Sequence, residues 1–170
     1  MQPHPRAIEI AVRQAMESPC QKSKRGVVIY ASPGAEYPFF NFGFGHNGPP
    51  TMINCDGSEA CLADCGRRCV HAEMRAHRDA MASKFDISVA RGMGLKIHLV
   101  HVKAVGGVLV GGGGPSCFTC SREIVDSQLV DLVWLYESAF TSDADAPRSR
   151  WVCYSAADFH HKTLQNNGIY

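Results

Sequence analysis

Two short motifs that lie far apart in the sequence restrict the fold of this 170-residue chain more than any other feature. The first is HAE at residues 71–73, and the second is PSCFTC at residues 115–120. Cys117 and Cys120 stand three residues apart at the predicted start of a helix, so their side chains face the same way, and the helix dipole there favours thiolate. With His71 as a third ligand, the pattern predicts a zinc site for which the fold must bring the two motifs together.

Glu73 gives the predicted metal site a chemical role. Three protein ligands leave one zinc position open for water, as in catalytic zinc sites. Zinc lowers the pKa of a bound water to about 7 in favourable cases, and a nearby carboxylate can take the proton and pass it to a departing nitrogen. Glu73 follows His71 by two residues, about 200° further round a helix, so it lies near the metal without having to bind it. These parts predict a hydrolytic deaminase with Glu73 as proton shuttle.

The apolar pattern predicts helices and strands that alternate along the chain. Residues 6–18 have the spacing of one helical face, and RGVVIYAS and YPFFNFGFG, separated by turn residues, predict a β-hairpin. The other predicted elements are short helix 58–66, helix 71 to about 85, strands 95–105, 107–110 and 129–136, helices 117–128 and 155–168, and a polar loop at 142–149. This order predicts an α/β fold, a three-layer α-β-α sandwich around a mixed, roughly five-stranded sheet, as one domain over residues 1–170.

Charge and composition restrict the kinds of binding partner and the cellular location to be expected. The formal net charge is +1 and Lys and Arg are scattered, which favours a small substrate over a long nucleic acid. The N-terminus lacks the order of a secretory signal, and no apolar run is long enough to cross a bilayer, so a cytoplasmic location without membrane attachment is expected. In a reducing compartment the eight cysteines are not expected to form four disulfides, and metal binding becomes their leading use.

The motifs resemble those of the zinc-dependent cytidine and deoxycytidylate deaminases, whose signature is H-x-E followed by P-C-x-x-C. GHNGPP at 45–50 and SPCQKSKRGVVIY at 18–30 look like the deoxycytidylate branch, and the order of elements is similar over nearly the whole chain. The resemblance implies that His71, Cys117 and Cys120 hold zinc, that Glu73 moves the proton, and that Asn47 lies at the substrate pocket. It also implies a nucleotide substrate such as dCMP and a homo-oligomer.

This sequence departs from the family pattern at three places that bear on the substrate. Ser116 separates Pro115 from Cys117, Arg75 stands where the deoxycytidylate branch often has Asn, and the run Gly111–Gly114 replaces a strand that usually leads into the cysteines. Arg75 is accordingly a candidate contact for a phosphate or base, with a solvated or ion-paired side chain as the alternative. Asn47 has a simple turn residue as its alternative. The zinc chemistry is unaffected, whereas the identity of the substrate becomes open.

A second, structural zinc is expected from the other clustered cysteines. Some deoxycytidylate deaminases hold such an ion, and the positions of its ligands correspond to Cys20, Cys55 and Cys69, with Cys61 for the remaining one. Four thiolates would close the site and clamp an irregular segment that has little core of its own. Cys65 lies four residues from both Cys61 and Cys69 and could replace either. The alternative is a group of free thiols buried as small apolar side chains.

Other readings of the sequence remain open. The same chemistry could act on a free base, a nucleoside, a modified nucleotide or single-stranded nucleic acid. The chain could instead be an inactive, zinc-stabilised binding module, with Glu73 as a bystander. Lys22, Lys24 and Arg25 could meet a 5′-phosphate or simply be solvated. His98 and His101 fall on opposite faces of their strand and are predicted to be packing or surface residues.

Overall fold

One mixed β-sheet organises the computed structural model, which describes residues 2–34, 36–50, 54–112, 116–138 and 149–169. The order along the sheet is β2-β1-β3-β5-β6, and β4 pairs with the end of β3. The β3–β5 pair is parallel, and the other pairs are antiparallel. The strands are β1 (Arg25–Ala31), β2 (Phe40–His46), β3 (Ile97–Val105), β4 (Val108–Val110), β5 (Leu132–Ser138) and β6 (Ser149–Ser155).

Helices cover both faces of the sheet. One face packs against α1, and the other packs against a layer that includes α3, α4, α5 and α6. The helices are α1 (Pro5–Glu17), α2 (Glu59–Arg68), α3 (Ala72–Ala82), α4 (Lys84–Gly92), α5 (Phe118–Ser127) and α6 (Ala156–Asn166). The predicted three-layer α-β-α sandwich around a mixed sheet is therefore confirmed, with five strands along the main path of the sheet and the short β4 beside them.

The two-residue period of β1 divides its side chains between the two cores. Val28 and Tyr30 join the core beneath α1, while Val27, Ile29 and Ala31 join the core on the opposite face. All five are at most 2% exposed. A central strand that is buried on both faces has a continuous apolar sequence, and VVIYA is such a run.

Two glycines let helices lie very close to the sheet. A Cβ at Gly26 would fall 1.9 Å from the carbonyl oxygen of Ala11 in α1. A Cβ at Gly43 would fall 2.5 Å from the carbonyl oxygen of Ala76 and 2.6 Å from the nitrogen of Ala80, both in α3. Because only a residue without a side chain fits at such an approach, these positions fix the distance of α1 and α3 from the strands. The close packing of α3 on the sheet also positions the HAE motif, because this helix begins there.

The sequence prediction missed or displaced several elements. The strand β6 was not predicted, and the predicted helix from 71 to about 85 is two helices that meet at Ser83. The predicted stop at Gly66 is wrong, because α2 continues to Arg68. Residues 142–148 of the predicted polar loop, and Gly113, Gly114 and Pro115, lie outside the described residues. Within the described part of the chain, no helix has the length and apolar character needed to span a membrane.

Candidate metal centre and proton shuttle

The start of α3 presents His71 to the candidate metal centre. His71 is the N-cap residue of α3, but its side chain makes no capping hydrogen bond. Instead its Nδ1 lies 3.3 Å from Sγ of Cys120. The preceding residue, Val70, exchanges two backbone hydrogen bonds with Gly48, of 2.8 and 3.1 Å. The Asn-Gly loop after β2 thus fixes the backbone that carries His71.

The start of α5 supplies the two thiols. Cys117 is the N-cap residue of α5, and its Sγ accepts a hydrogen bond from the backbone N–H of Cys120 at 3.4 Å. The two sulfurs are 3.1 Å apart, and Cys120 is 2% exposed. The first turn of a helix favours negative charge through its unpaired N–H groups, so thiolate is stabilised at this point.

The three donor groups fit a zinc ion. His71, Cys117 and Cys120 each offer one ligand atom, and these atoms all lie within 4.8 Å of one another. In a tetrahedral zinc site two sulfurs are about 3.8 Å apart, and a sulfur and a nitrogen are about 3.6 Å apart. The observed separations of 3.1 and 3.3 Å are shorter than these, by about 0.7 and about 0.3 Å, so a bound ion would spread the two sulfurs slightly. One imidazole and two thiols are also the ligand chemistry that zinc prefers.

Of these groups, Cys117 is the one whose ionisation favours a cation. The hydrogen bond from Cys120, together with His71, lowers the pKa of Cys117 to about 4 although burial opposes this. Cys117 in turn raises the pKa of His71. The pKa of Cys120 is raised because it donates to Cys117 and is buried. A zinc ion bound here would stabilise both sulfurs as thiolates.

Glu73 lies beside this centre and is almost completely buried, with 3% of its surface exposed. Burial alone would raise the pKa of its carboxyl, but His101, a hydrogen bond from Ser116 and His71 together hold the pKa below its usual value. The Ser116 hydroxyl donates to Oε1 at 2.7 Å. Glu73 is in the first turn of α3, where the helix dipole also favours the carboxylate. The side chain is thus kept ionised, as a proton acceptor must be.

A cavity of about 340 Å³ opens onto these groups. His71, Glu73 and Cys117 line it, so the candidate metal centre is accessible to a small molecule. Lys22 and Arg25 line the same cavity and bring positive charge to it. The volume lies within the range that is usual for small-molecule sites, about 300–1,000 Å³.

The two predicted substrate contacts occupy different surroundings. Asn47 lines the cavity, and its side chain is held by protein groups: Oδ1 accepts from the Arg25 backbone N–H at 2.7 Å and Nδ2 donates to the Ser23 carbonyl at 2.7 Å. Arg75 is not among the cavity-lining residues, and its Nη2 donates to the carbonyl oxygens of Gly48 and Pro49. Arg75 therefore braces the Asn-Gly loop in this structure, and a substrate contact for either residue stays a prediction.

A second group of thiols, the thiol cluster, lies next to the same cavity. Its sulfurs form two sets. Those of Cys20, Cys65 and Cys69 lie within 4.8 Å of one another, and Sγ of Cys61 lies 3.5 Å from Sγ of Cys55. The thiol cluster comprises Cys20, Cys55, Cys61, Cys65 and Cys69. Of the four predicted ligands, Cys20 and Cys69 lie together with Cys65, which was the alternative ligand, while Cys55 and Cys61 form the other set.

The pKa values distinguish the members of the thiol cluster. Burial, and the neighbouring Cys20 and Cys65, raise the pKa of Cys69 to about 12. The backbone N–H of Gln21 donates to Sγ of Cys55 at 3.3 Å and lowers the pKa of Cys55, whereas Cys55 raises the pKa of Cys61. Cys55 is thus the better thiolate of that pair. Crowded thiols that oppose one another's ionisation would be stabilised as thiolates by a divalent cation.

Two residues at the site were not recognised from the sequence. His101 was predicted to be a packing or surface residue, but its side chain is 4% exposed and its Nδ1 lies 3.6 Å from Oε1 of Glu73. The alternation of side chains along a strand could have indicated this position. His101 lies two residues after Leu99 and so shares its face of β3, and Leu99 packs in the core beneath α3. Ser116 was noted only as a departure from the motif, and a hydroxyl beside the first cysteine gave no indication of its partner.

No protein-family model matches the chain, and no curated protein matches its sequence. Among solved structures, the dCMP deaminase from the cyanophage S-TIM5 in apo form is similar at 17% identity and a TM-score of 0.44, covering 74% of this chain and 75% of that chain. A cytidine deaminase from Burkholderia pseudomallei is similar at 15% identity and a TM-score of 0.44, covering 93% of this chain and 96% of that chain. Structural similarity at this identity and TM-score does not establish an activity. The activity has to be inferred from the side chains of the site.

Proposed function

We propose that the chain is a zinc-dependent hydrolytic deaminase that converts a cytosine-type amine to a carbonyl. The observation that carries this proposal is the convergence of one imidazole and two thiols beside a buried carboxylate, at the wall of a cavity. His71, Cys117 and Cys120 would hold the zinc. When bound, zinc supplies an activated water whose pKa lies near neutrality.

The chain's own contribution to the reaction is proton transfer by Glu73. Hydrolytic deamination forms a carbon–oxygen bond from water and breaks the carbon–nitrogen bond of the amine. The carboxylate of Glu73 accepts a proton from the attacking water and passes it to the ring nitrogen that gains an electron pair. It then moves the second proton, from the new hydroxyl group to the departing nitrogen, so that the carbonyl forms and ammonia leaves as a neutral molecule. Its lowered pKa keeps the group ionised, so the carboxylate is present when the water needs a base.

Positive charge in the cavity favours a nucleotide over a free base. Arg25 lines the cavity, and one of its guanidinium nitrogens is 2.9 Å from the carbonyl oxygen of Gly112. Lys22 lines the cavity from an exposed position, while Lys24 donates to the Ser18 carbonyl oxygen. Lys22 and Arg25 are therefore the proposed contacts for a 5′-phosphate, and dCMP is the proposed substrate.

A panel of amines tests this function. Zinc-loaded protein is incubated with cytosine, cytidine, deoxycytidine, dCMP, dCTP, adenine nucleotides and a cytosine-containing single-stranded oligonucleotide, and ammonia release is measured. Turnover of dCMP above the nucleosides supports the nucleotide assignment. Turnover of the oligonucleotide alone would reassign the substrate, and failure of every member would favour an inactive binding module.

The thiol cluster is proposed to hold a second, structural zinc through Cys20, Cys65 and Cys69, with Cys55 as the fourth ligand. We expect about two zinc ions per chain by elemental analysis of purified protein, since four thiolates make a closed site. Cys69→Ser and Cys65→Ser should each lower the content to about one, because a serine hydroxyl is a poor zinc ligand.

Two matched variants serve as controls for the zinc count. Cys61→Ser should retain about two zinc ions, since Sγ of Cys61 lies outside the group formed by Cys20, Cys65 and Cys69. Cys153→Ser, at an exposed position on β6, should also leave the count unchanged. A wild-type content near one zinc per chain would remove the second site, and loss of metal in Cys61→Ser but not in Cys65→Ser would restore Cys61 as the ligand.

A further inference from the structure

Two side chains from different elements converge on the same oxygen of Glu73. The Ser116 hydroxyl, just before α5, donates a hydrogen bond to Oε1 at 2.7 Å. His101, on β3, places its Nδ1 3.6 Å from that same Oε1. The His101 and Glu73 side chains are each 4% exposed, so water does not screen this contact as it would at the surface.

The contact of His101 with Arg25 favours one of the two ring nitrogens as the position of the proton. On its far side, Nε2 lies 3.5 Å from Nη1 of Arg25, and the Arg25 guanidinium is anchored by its hydrogen bond to the Gly112 carbonyl. A guanidinium has donors only, so this contact favours Nε2 as an acceptor. The proton of the neutral ring is then on Nδ1, which faces Glu73. In either protonation state that keeps a proton on Nδ1, the ring attracts the carboxylate.

The position of Ser116 couples the shuttle to the metal ligands. Ser116 immediately precedes Cys117, and its carbonyl oxygen accepts a 3.4 Å hydrogen bond from the side chain of Asn167, just beyond α6. The short segment that sets the first thiol therefore also sets the hydroxyl on Glu73. The terminal torsion of a glutamate is broad, so without such contacts either carboxylate oxygen could turn towards the cavity.

We propose that Ser116 and His101 are positioning residues that hold Oε1 of Glu73, so that Glu73 exchanges protons with water and substrate through Oε2. The proposal rests on the deaminase function proposed above. Orientation of a reacting group is a large part of catalytic rate, so loosening this oxygen should lower kcat while substrate binding is retained. Neither residue is proposed to touch the substrate.

Single and double variants at the two positions test this assignment. Ser116→Ala should lower kcat about tenfold or more, the effect expected for a lost hydrogen bond to a charged group, with KM within about twofold of wild type. Ser116→Thr keeps a hydroxyl and should recover most of the rate. His101→Leu should lower kcat, and His101→Asn, whose amide can place a donor near the site of Nδ1, should recover part of it.

The double variant and two controls separate positioning from general damage. Because both residues hold one oxygen, the loss in Ser116→Ala/His101→Leu should be smaller than the product of the two single losses. Zinc content should equal that of wild type in every variant. His98→Asn is the matched control on the other face of β3, where an amide oxygen can still accept from Trp134 Nε1, and it should keep wild-type kcat.

The outcomes distinguish this proposal from the deaminase function itself. Single variants that both stay within about twofold of wild-type kcat, or that lose zinc in step with kcat, overturn the positioning role. If the wild type releases no ammonia from any amine, the proposed function fails. Crystal structures of the zinc-loaded wild type and double variant then decide the positioning claim alone: a Glu73 carboxylate that turns in the double variant supports it, and an unmoved one overturns it.

Discussion

Glu73→Gln is expected to abolish most ammonia release while zinc content stays at the wild-type level. Proton transfer by a positioned side chain is worth about 10²- to 10⁴-fold in rate, and kcat should fall by a factor in that range. Glutamine has the same shape as glutamate, so the Ser116 hydroxyl can still donate to the side-chain oxygen. What is lost is the ability to accept a proton. The measurement is kcat for ammonia release together with elemental analysis of the same preparation.

A matched carboxylate shows whether the effect is specific to Glu73. Glu123 on α5 has a side chain that is 46% exposed and lies 3.6 Å from His77, away from the cavity-lining residues. Glu123→Gln should therefore retain wild-type kcat. Retained turnover in Glu73→Gln would contradict the shuttle, and an inactive variant that has also lost zinc would show that Glu73 supports the metal instead.

The sequence predicted the fold well where local signals agree with packing. Strands β1 and β3 are apolar runs, and the layers followed from their order among amphipathic helices. β6 was missed because its pairing with β5, rather than its own side-chain pattern, defines it as a strand. Residues Leu132 to Ser138 of β5 pair with β6 one by one, while the side chains of β6 are mostly half-buried or exposed. No Gly or Pro lies at the break between α3 and α4 at Ser83, so the local sequence does not predict that break. Such features depend on tertiary contacts that a local pattern does not contain.

The site was predictable only in part, for a related reason. The spacing of HAE and CFTC predicted which side chains would supply zinc ligands, since those residue types have few other uses in that pattern. The contacts of His101 and Ser116 with Glu73 depend on how β3 and the start of α5 pack against α3, and no spacing encodes them. The grouping of the thiol cluster depends likewise on the path between α1 and α3, which decides that Cys65 lies with Cys20 and Cys69.

Cys120→Ser should remove the catalytic metal, and with it all measurable turnover. Serine is close to cysteine in size, but its hydroxyl does not ionise near neutral pH, so the site keeps only two good ligands. Cys120 is 2% exposed in the first turn of α5, between His71 and Cys117, and no other described thiol joins that metal group. We expect zinc to fall by about one ion per chain and kcat/KM to fall by at least about 10³-fold.

The contrast between Cys120→Ser and Glu73→Gln separates the two halves of the proposed chemistry. Both variants are expected to lose turnover, but only Cys120→Ser should lose metal, and excess zinc should not restore it. Chelation of the wild type should reproduce the loss of activity, and added zinc should reverse it, because the chelated protein retains all three ligands. Circular dichroism checks that Cys120→Ser is folded. A folded Cys120→Ser protein with full zinc and full turnover would contradict the assigned ligand set, since a buried thiol at the centre of the group would then have no role in binding the ion.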